Sequence, residues 1–253
     1  GNQALYTNST GILNIAIGSL ALYTYAGSNS VAVGYNALNV ATGVENHAFG
    51  HRAMQSTTTG QENTAVGRSA MVNNTTGSFN TAVGKQALQN STTVDGNTAV
   101  GYQTLLSNTT AVGNVGVGMY ALYNNTVGNY STAVGYQAGF NQSTGGNVGQ
   151  NTYLGYQAGY SVNTGSNITA IGFQAGYSIA SNPQLTAVGS YAAQYQTDVN
   201  DAFGFMAMRG SVGATGYYNV AVGRQSMYSL TSGLYNVAMG MQALYSNTTA
   251  SNN

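Results

Sequence analysis

The sequence predicts an all-β fold: a parallel β-solenoid with one coil per repeat of about 17 residues, running as a single repeat domain of about 15 coils over residues 1–253. Three observations predict it. A landmark glycine recurs at near-constant spacing, the residues flanking it form fixed columns of size and polarity, and formal charge is nearly absent, at 4% of residues against about 25% in an ordinary domain.

The period comes first. Asn63-Thr64-Ala65-Val66-Gly67 returns as Asn80 to Gly84 and Asn97 to Gly101, and looser copies fill the chain. The landmark glycines include Gly34, Gly67, Gly84, Gly101, Gly118, Gly135, Gly172, Gly189 and Gly223, and nine of the fourteen spacings in the full set are 17. A helix-pair repeat needs about 33 residues or more, so each unit is one coil with insertions absorbed in a loop. Positions are numbered below from the landmark glycine.

Position −1 is always large and apolar: Val33, Val66, Val83, Val100, Val117, Val134, Ile171, Val188 and Val222 are examples. Position −2 is Ala except at Gly116 and Tyr153, position −4 is Asn or Ser except at Ile168 and Leu185, +3 is small, and +4 is usually Leu or Met, becoming Gly at 139, 159 and 176. Thr-Ala-Val alternates with period two between Asn and Gly, which reads as a short strand. Gln-Ala-Leu after the glycine reads as a second extended segment. Strands this short bury little alone, so successive coils must stack. The expectation is that the −1 residues fill the thin interior and the Ala/Gly side forms a flat outer face suited to close approach by a second copy, giving a homo-oligomer.

Stacking explains the columns. Stacked Val makes a dry core, and stacked Asn makes amide ladders that satisfy side chains otherwise buried unpaired. Stacked like charges would repel along the whole axis. Arg68 and Lys85 stand out as a same-sign pair on successive coils, and residues 96–197 carry no charge at all.

Composition excludes several classes. Zero net charge leaves no electrostatic footprint for nucleic acid. No run of 18 apolar residues long enough to span a bilayer occurs, no signal peptide is expected within this stretch, and the absence of Cys removes disulfide frameworks and thiolate zinc sites. The segment begins at Gly1 in mid-repeat and stops at Asn253 just before the next strand. The expectation is a window on a longer fibre, with head-to-tail stacking of subunits as the alternative.

Candidate chemistry is sparse. His47 and His51 lie near Glu45 and Arg52, but a metal site wants further converging ligands, so no metal is expected. Asp198-Val199-Asn200-Asp201 lacks the glycine and bidentate Glu of a calcium loop and reads as a polar turn. Gly113 to Gly118 does not match a dinucleotide fingerprint and is a repeat with Gly116 in place of Ala. No Gly-x-Ser-x-Gly elbow occurs, and no carboxylate pair is placed for glycoside cleavage. Neither an enzyme nor a cofactor is expected. Asn-x-Ser/Thr matches at Asn8, Asn90, Asn108, Asn141 and Asn247 follow from composition. Tyr102, Tyr136, Tyr156, Tyr160 and Tyr177 recur in register; they read as an aromatic stack along the axis, with surface contact to a glycan as the functional counterpart.

The phrases Asn14-Ile15-Ala16-Ile17-Gly18 and Ser30-Val31-Ala32-Val33-Gly34 resemble the head repeats of YadA-like trimeric autotransporter adhesins. The run Thr132-Ala133-Val134-Gly135-Tyr136-Gln137-Ala138 is similar to repeats of phage and marine-virus tail fibres. The resemblance covers essentially the whole chain. It implies a left-handed parallel β-roll assembled as a homotrimer, working outside the cell, at a cell surface or on a virion, as a structural fibre or adhesin that meets a cell-surface or glycan receptor. The adhesin repeat is shorter, near fourteen residues, so these coils carry a longer Asn-Thr-Thr-Gly loop. An ice- or polysaccharide-binding solenoid is the alternative, weakened because Ile15, Val31, Val115, Val220 and Val237 replace Thr at −3.

Overall fold

The computed structural model describes residues 1–8, 10–142, 149–162, 164–179, 184–196 and 199–253, and it is an all-β parallel solenoid. The chain divides into two units, Gly1–Thr126 and Val127–Asn253. In the first lie β1 (Ile15–Ile17), β2 (Thr24–Tyr25), β3 (Val31–Val33), β4 (Val40–Ala41), β5 (His47–Phe49), β6 (Thr64–Val66), β7 (Thr81–Val83), β8 (Thr98–Val100) and β9 (Val115–Val117). β1, β3, β5, β6, β7, β8 and β9 pair in that order, and β2 pairs with β4. In the second lie β10 (Thr132–Val134), β11 (Thr152–Leu154), β12 (Ser161–Val162), β13 (Ile168–Ile171), β14 (Ser178–Ile179), β15 (Leu185–Val188), β16 (Asn200–Phe203), β17 (Asn219–Val222) and β18 (Val237–Met239). There the order is β10, β11, β13, β15, β16, β17, β18, with β12 beside β14. Pairing is parallel and column on column: Thr64 meets Thr81, Ala65 meets Ala82 and Val66 meets Val83.

The landmark glycine turns the chain out of the strand. Gly67 has φ +132°, and a Cβ there would lie 2.6 Å from the carbonyl oxygen of Gly84 on the next coil. Conformation and close approach therefore both demand glycine.

The residues after it are turn, which corrects the expected second strand. Positions +2 and +4 are left-handed in coil after coil, as in Gln86 (φ +61°) and Leu88 (φ +50°). The reason is hydrogen bonding. Gln86 N donates to Arg68 O of the preceding coil at 3.0 Å, and Leu88 N donates to Thr104 O of the following coil at 3.1 Å. The left-handed residues at +2 and +4 aim their N–H groups down and up the axis while Ala87 N between them donates to Gly84 O at 3.3 Å, so axial bonding continues around a corner where a strand would have to straighten. Each costs about 1–2 kcal/mol of backbone strain, offset by these bonds and by burial of the side chain at +4.

The interior is thin. Ala65, Ala82 and Ala99 at −2, Ala70 and Ala87 at +3, and Met71, Leu88 and Leu105 at +4 are all fully buried. A fully buried Leu contributes about 2–3 kcal/mol. The Asn column at −4 is buried too and forms a ladder. Asn63 N and Nδ2 both donate to Asn46 Oδ1, at 3.1 Å each, and Nδ2 also donates to Gly77 O at 2.8 Å. Asn80 repeats this on Asn63 and Asn97 on Asn80. A second corner is closed by Asn74, whose Nδ2 donates to Gly77 O while its Oδ1 accepts from Gly77 N.

The exceptions to the columns compensate one another. Thr104 replaces Ala at +3, and a Cβ at Gly116 would stand 2.6 Å from its Cγ2. Tyr153 replaces Ala at −2 and is fully buried, and a Cβ at Gly159 would collide with Cδ1 and Cε1 of its ring. Gly159 therefore makes the space that Tyr153 fills. Ile168 and Leu185, in the Asn column, are buried with Val162 and Ile179, so the amide ladder gives way locally to an apolar core.

Tyr153 Oη is buried without a hydrogen-bond partner among the described residues, and burial pushes its pKa well above the usual phenol value. Tyr153→Phe should raise stability by about 1 kcal/mol, the cost of an unpaired buried hydroxyl. The raised pKa also fixes a sign. The folded state holds this proton more tightly than the unfolded chain, so stability is fully present below pH ~10 and falls as pH rises toward the higher folded value. The Phe variant should lose that part of the alkaline decline in thermal melts between pH 8 and 12.

Candidate interaction surface

The strand places −3 and −1 on the face opposite −4 and −2. Because Asn and Ala point inward, Thr and Val point outward. The column expected to form the core thus lies outside. Val66 and Val83 are 38% and 36% exposed, and Val33, Val100, Val117, Val134, Ile171, Val188 and Val222 are half-buried, while their Ala neighbours are at 0%. The physical reason is the width of the coil. With Leu at +4 facing the strand from the opposite wall, the space left at −2 fits a methyl group and no more.

The result is a flat face of two registered columns. Thr64, Thr81 and Thr98 stack beside Val66, Val83 and Val100 in the first unit. Thr152, Thr169 and Thr186 stack beside Leu154, Ile171 and Val188 in the second. Phe49, Leu154 and Phe203 enlarge the apolar share of the −1 column, and Leu154 is 47% exposed. A contiguous apolar surface of this kind is a candidate for contact with another molecule.

The tyrosines form ladders. Tyr136, Tyr156 and Phe173 stack at 5.3 and 5.0 Å with interplanar angles of 13° and 7°. Phe140, Tyr160 and Tyr177 stack at 5.2 and 5.0 Å, within 6° of parallel. Tyr102 meets Tyr120 edge-on at 5.4 Å. Rings at this spacing cover one another's faces and turn edges outward. Stacking on sugar rings uses the faces, so these ladders are poor platforms for it and their contribution is axial cohesion, about 0.5–1.5 kcal/mol per pair. Glutamines run beside them: Gln157 Nε2 donates to Gln137 Oε1, and Gln174 Nε2 to Gln157 Oε1, both at 2.8 Å. Burial and the neighbouring Tyr160, Tyr195 and Tyr156 raise the Tyr177 pKa.

The other candidates stay dispersed. His47 sits on β5 and His51 stacks on Tyr35 at 5.3 Å, and no cluster of three or more His, Cys, Asp or Glu suited to a metal occurs among the described residues. Asp198 lies outside the described residues, and Asp201 is an exposed member of β16. A groove of about 330 Å³ in the first unit is lined by Tyr25, Val40, Ala41 and threonines including Thr42 and Thr58. The Thr42 hydroxyl donates to Thr58 O and that of Thr58 to Thr75 O, so those hydroxyls are engaged within the solenoid. No helix among the described residues is long and apolar enough to cross a membrane.

Which face of the strand is outward was missed in the sequence, although a signal was present. Position −2 tolerates only Ala outside its two exceptions, whereas −1 ranges over Val, Ile, Leu, Met and Phe. In a thin coil, restricted size marks the inside. Comparison with known proteins gives no match: no family model, no curated protein and no solved structure matches the chain.

Proposed function

We propose that this chain is a non-enzymatic structural segment of an extracellular fibre or adhesin, a left-handed β-roll whose copies associate as a homotrimer through the Thr/Val face. The fold is that of a fibrous scaffold. The single observation that carries the assembly is the registered apolar column left exposed on the outer side of the strands. The resemblance of the Asn/Ser-x-Ala-Val/Ile-Gly phrase to trimeric adhesin heads supports both the count and the handedness. Axial hydrogen bonds, amide ladders and aromatic ladders supply stiffness, and a nearly uncharged coil is insensitive to salt. Sedimentation equilibrium of the purified chain tests this. The expected mass is three times 26.0 kDa, and a monomer at micromolar concentration would overturn it.

A second reading has its own support. Outward Thr and Val columns form a lattice of about 4.8 Å between coils and about 6.6 Å along each strand, a regular array suited to ice or to a crystalline polysaccharide. The same face cannot be covered by a partner and offered to a crystal. A monomer with thermal hysteresis would favour this reading; an oligomer without it favours the fibre.

A further inference from the structure

The strand face of the first unit has an acidic edge and a basic edge. Glu45 and Glu62 both occupy position −5, which adds a second same-sign column to that of Arg68 and Lys85, and Asp95 sits one residue earlier in its own coil. Arg52, Arg68 and Lys85 occupy +2 or +1. All six are exposed. The acids precede the strands and the bases follow them, so the two stripes border the Thr/Val face on opposite sides. Glu62 and Arg68 lie beyond opposite ends of β6, whose three residues alone span about 10 Å. That exceeds the screening length of about 8 Å at physiological salt, and no ion pair joins the stripes among the described residues. The contacts the charges do make are with uncharged groups: Arg52 Nε donates to Gln55 Oε1, and Lys85 Nζ lies 5.5 Å from the Tyr102 ring centre.

The stripes match in height. Glu45 and Arg52 flank β5, and Glu62 and Arg68 flank β6. Asp95 belongs to the next coil up, but its Oδ1 accepts from Ser78 N at 2.7 Å. This brings the carboxylate down to the coil of β7, which Lys85 follows. Three acids therefore sit level with three bases across one face.

We propose that these six residues form intermolecular ion pairs that hold a second copy of the chain parallel and in register, Glu62 of one copy meeting Arg68 of the next. The inference rests on association through the strand face. Rotation about an axis parallel to the coil stack brings the acidic edge of one copy against the basic edge of its neighbour at the same height. A two-fold axis perpendicular to the stack and lying along the strands brings acid onto acid and base onto base, which is repulsive. A shift by one coil leaves one acid and one base at the ends of the stripes unmatched. The apolar face supplies attraction in any orientation, and the charges select one.

The chain has no cysteine, so disulfide trapping reads the arrangement directly. In the double variant Glu62→Cys with Arg68→Cys, the two sites within one chain are too far apart to bridge, since a disulfide needs Cα atoms within about 7 Å. Oxidation with copper phenanthroline should link copies covalently in the double variant and leave Glu62→Cys alone unlinked. Linkage of Glu62→Cys alone means antiparallel packing and overturns the proposal. So does an assembled double variant that fails to link, while association through the face would still stand. A wild-type monomer in sedimentation removes both. Charge reversal gives a second readout. Glu62→Lys should weaken association about tenfold at low salt, and adding Arg68→Glu should restore it. Failure of the double reversal to recover, with the coil still folded by circular dichroism, also counts against the pairing.

Discussion

Ala99→Asp should unfold the first unit, whereas Val100→Asp, one residue along, should leave the coil folded and abolish only its assembly. Ala99 is fully buried and Val100 half-buried on the outer face. A carboxylate at 99 would enter a space sized for a methyl group, without a countercharge, at a cost of about 4–5 kcal/mol or more. That is most of the stability of a typical domain. At 100 the carboxylate reaches water, and coil stability should change by about 1 kcal/mol or less. An interface built on the valine column would then hold desolvated like charges from each copy, which is prohibitive. Far-UV circular dichroism melts report the first effect and sedimentation the second. Equal unfolding by both variants would mean that the valine column is not on the outer face. Wild-type assembly of Val100→Asp would remove the Thr/Val face as the contact.

The second large effect belongs to the landmark glycine. Gly67→Ala combines φ +132° with a Cβ 2.6 Å from Gly84 O and 2.7 Å from Gly84 C, both backbone atoms of the next coil. The atoms in the way cannot rotate aside, so the coils must separate locally and lose axial hydrogen bonds. A loss of about 3 kcal/mol or more is expected, from the backbone conformation and the overpacking together. Gly96 is the control. Its φ is +68° and nothing lies within 4 Å of an added Cβ. Other coils place Glu62 or Phe79 at the same position in the left-handed region. Gly96→Asn should therefore cost about 1 kcal/mol or less. Urea titration of the two variants gives the comparison, and similar midpoints would mean that close approach between coils is not what demands glycine.

These results separate what was legible from what was not. Asn-Thr-Ala-Val-Gly names its own strand and turn, because alternation, an amide column and a glycine each have one stable use when coils stack. The Asn63 ladder followed from stoichiometry: a buried amide repeated in register finds its partner in the amide above. Gln-Ala-Leu misled, since a three-residue segment has no period of its own and left-handed residues such as Gln86 and Leu88 carry no marker as glycine does. The exceptions Gly116, Tyr153 and Gly159 were visible as departures but not as compensating pairs, because their partners Thr104 and Tyr153 lie in different columns.

By itself, then, the chain's sequence determined the repeat, the parallel stacking of coils and the inventory of columns, since these depend only on periodicity and on the hydrogen-bonding needs of each residue type. The tertiary structure decided which side of the strand is inside, because the Ala-only column at −2 marks the interior only once the coil is known to be thin. Period two is symmetric between faces, and it is the width left by Met71 and Leu88 on the opposite wall that admits Ala and turns Val66 and Val83 out.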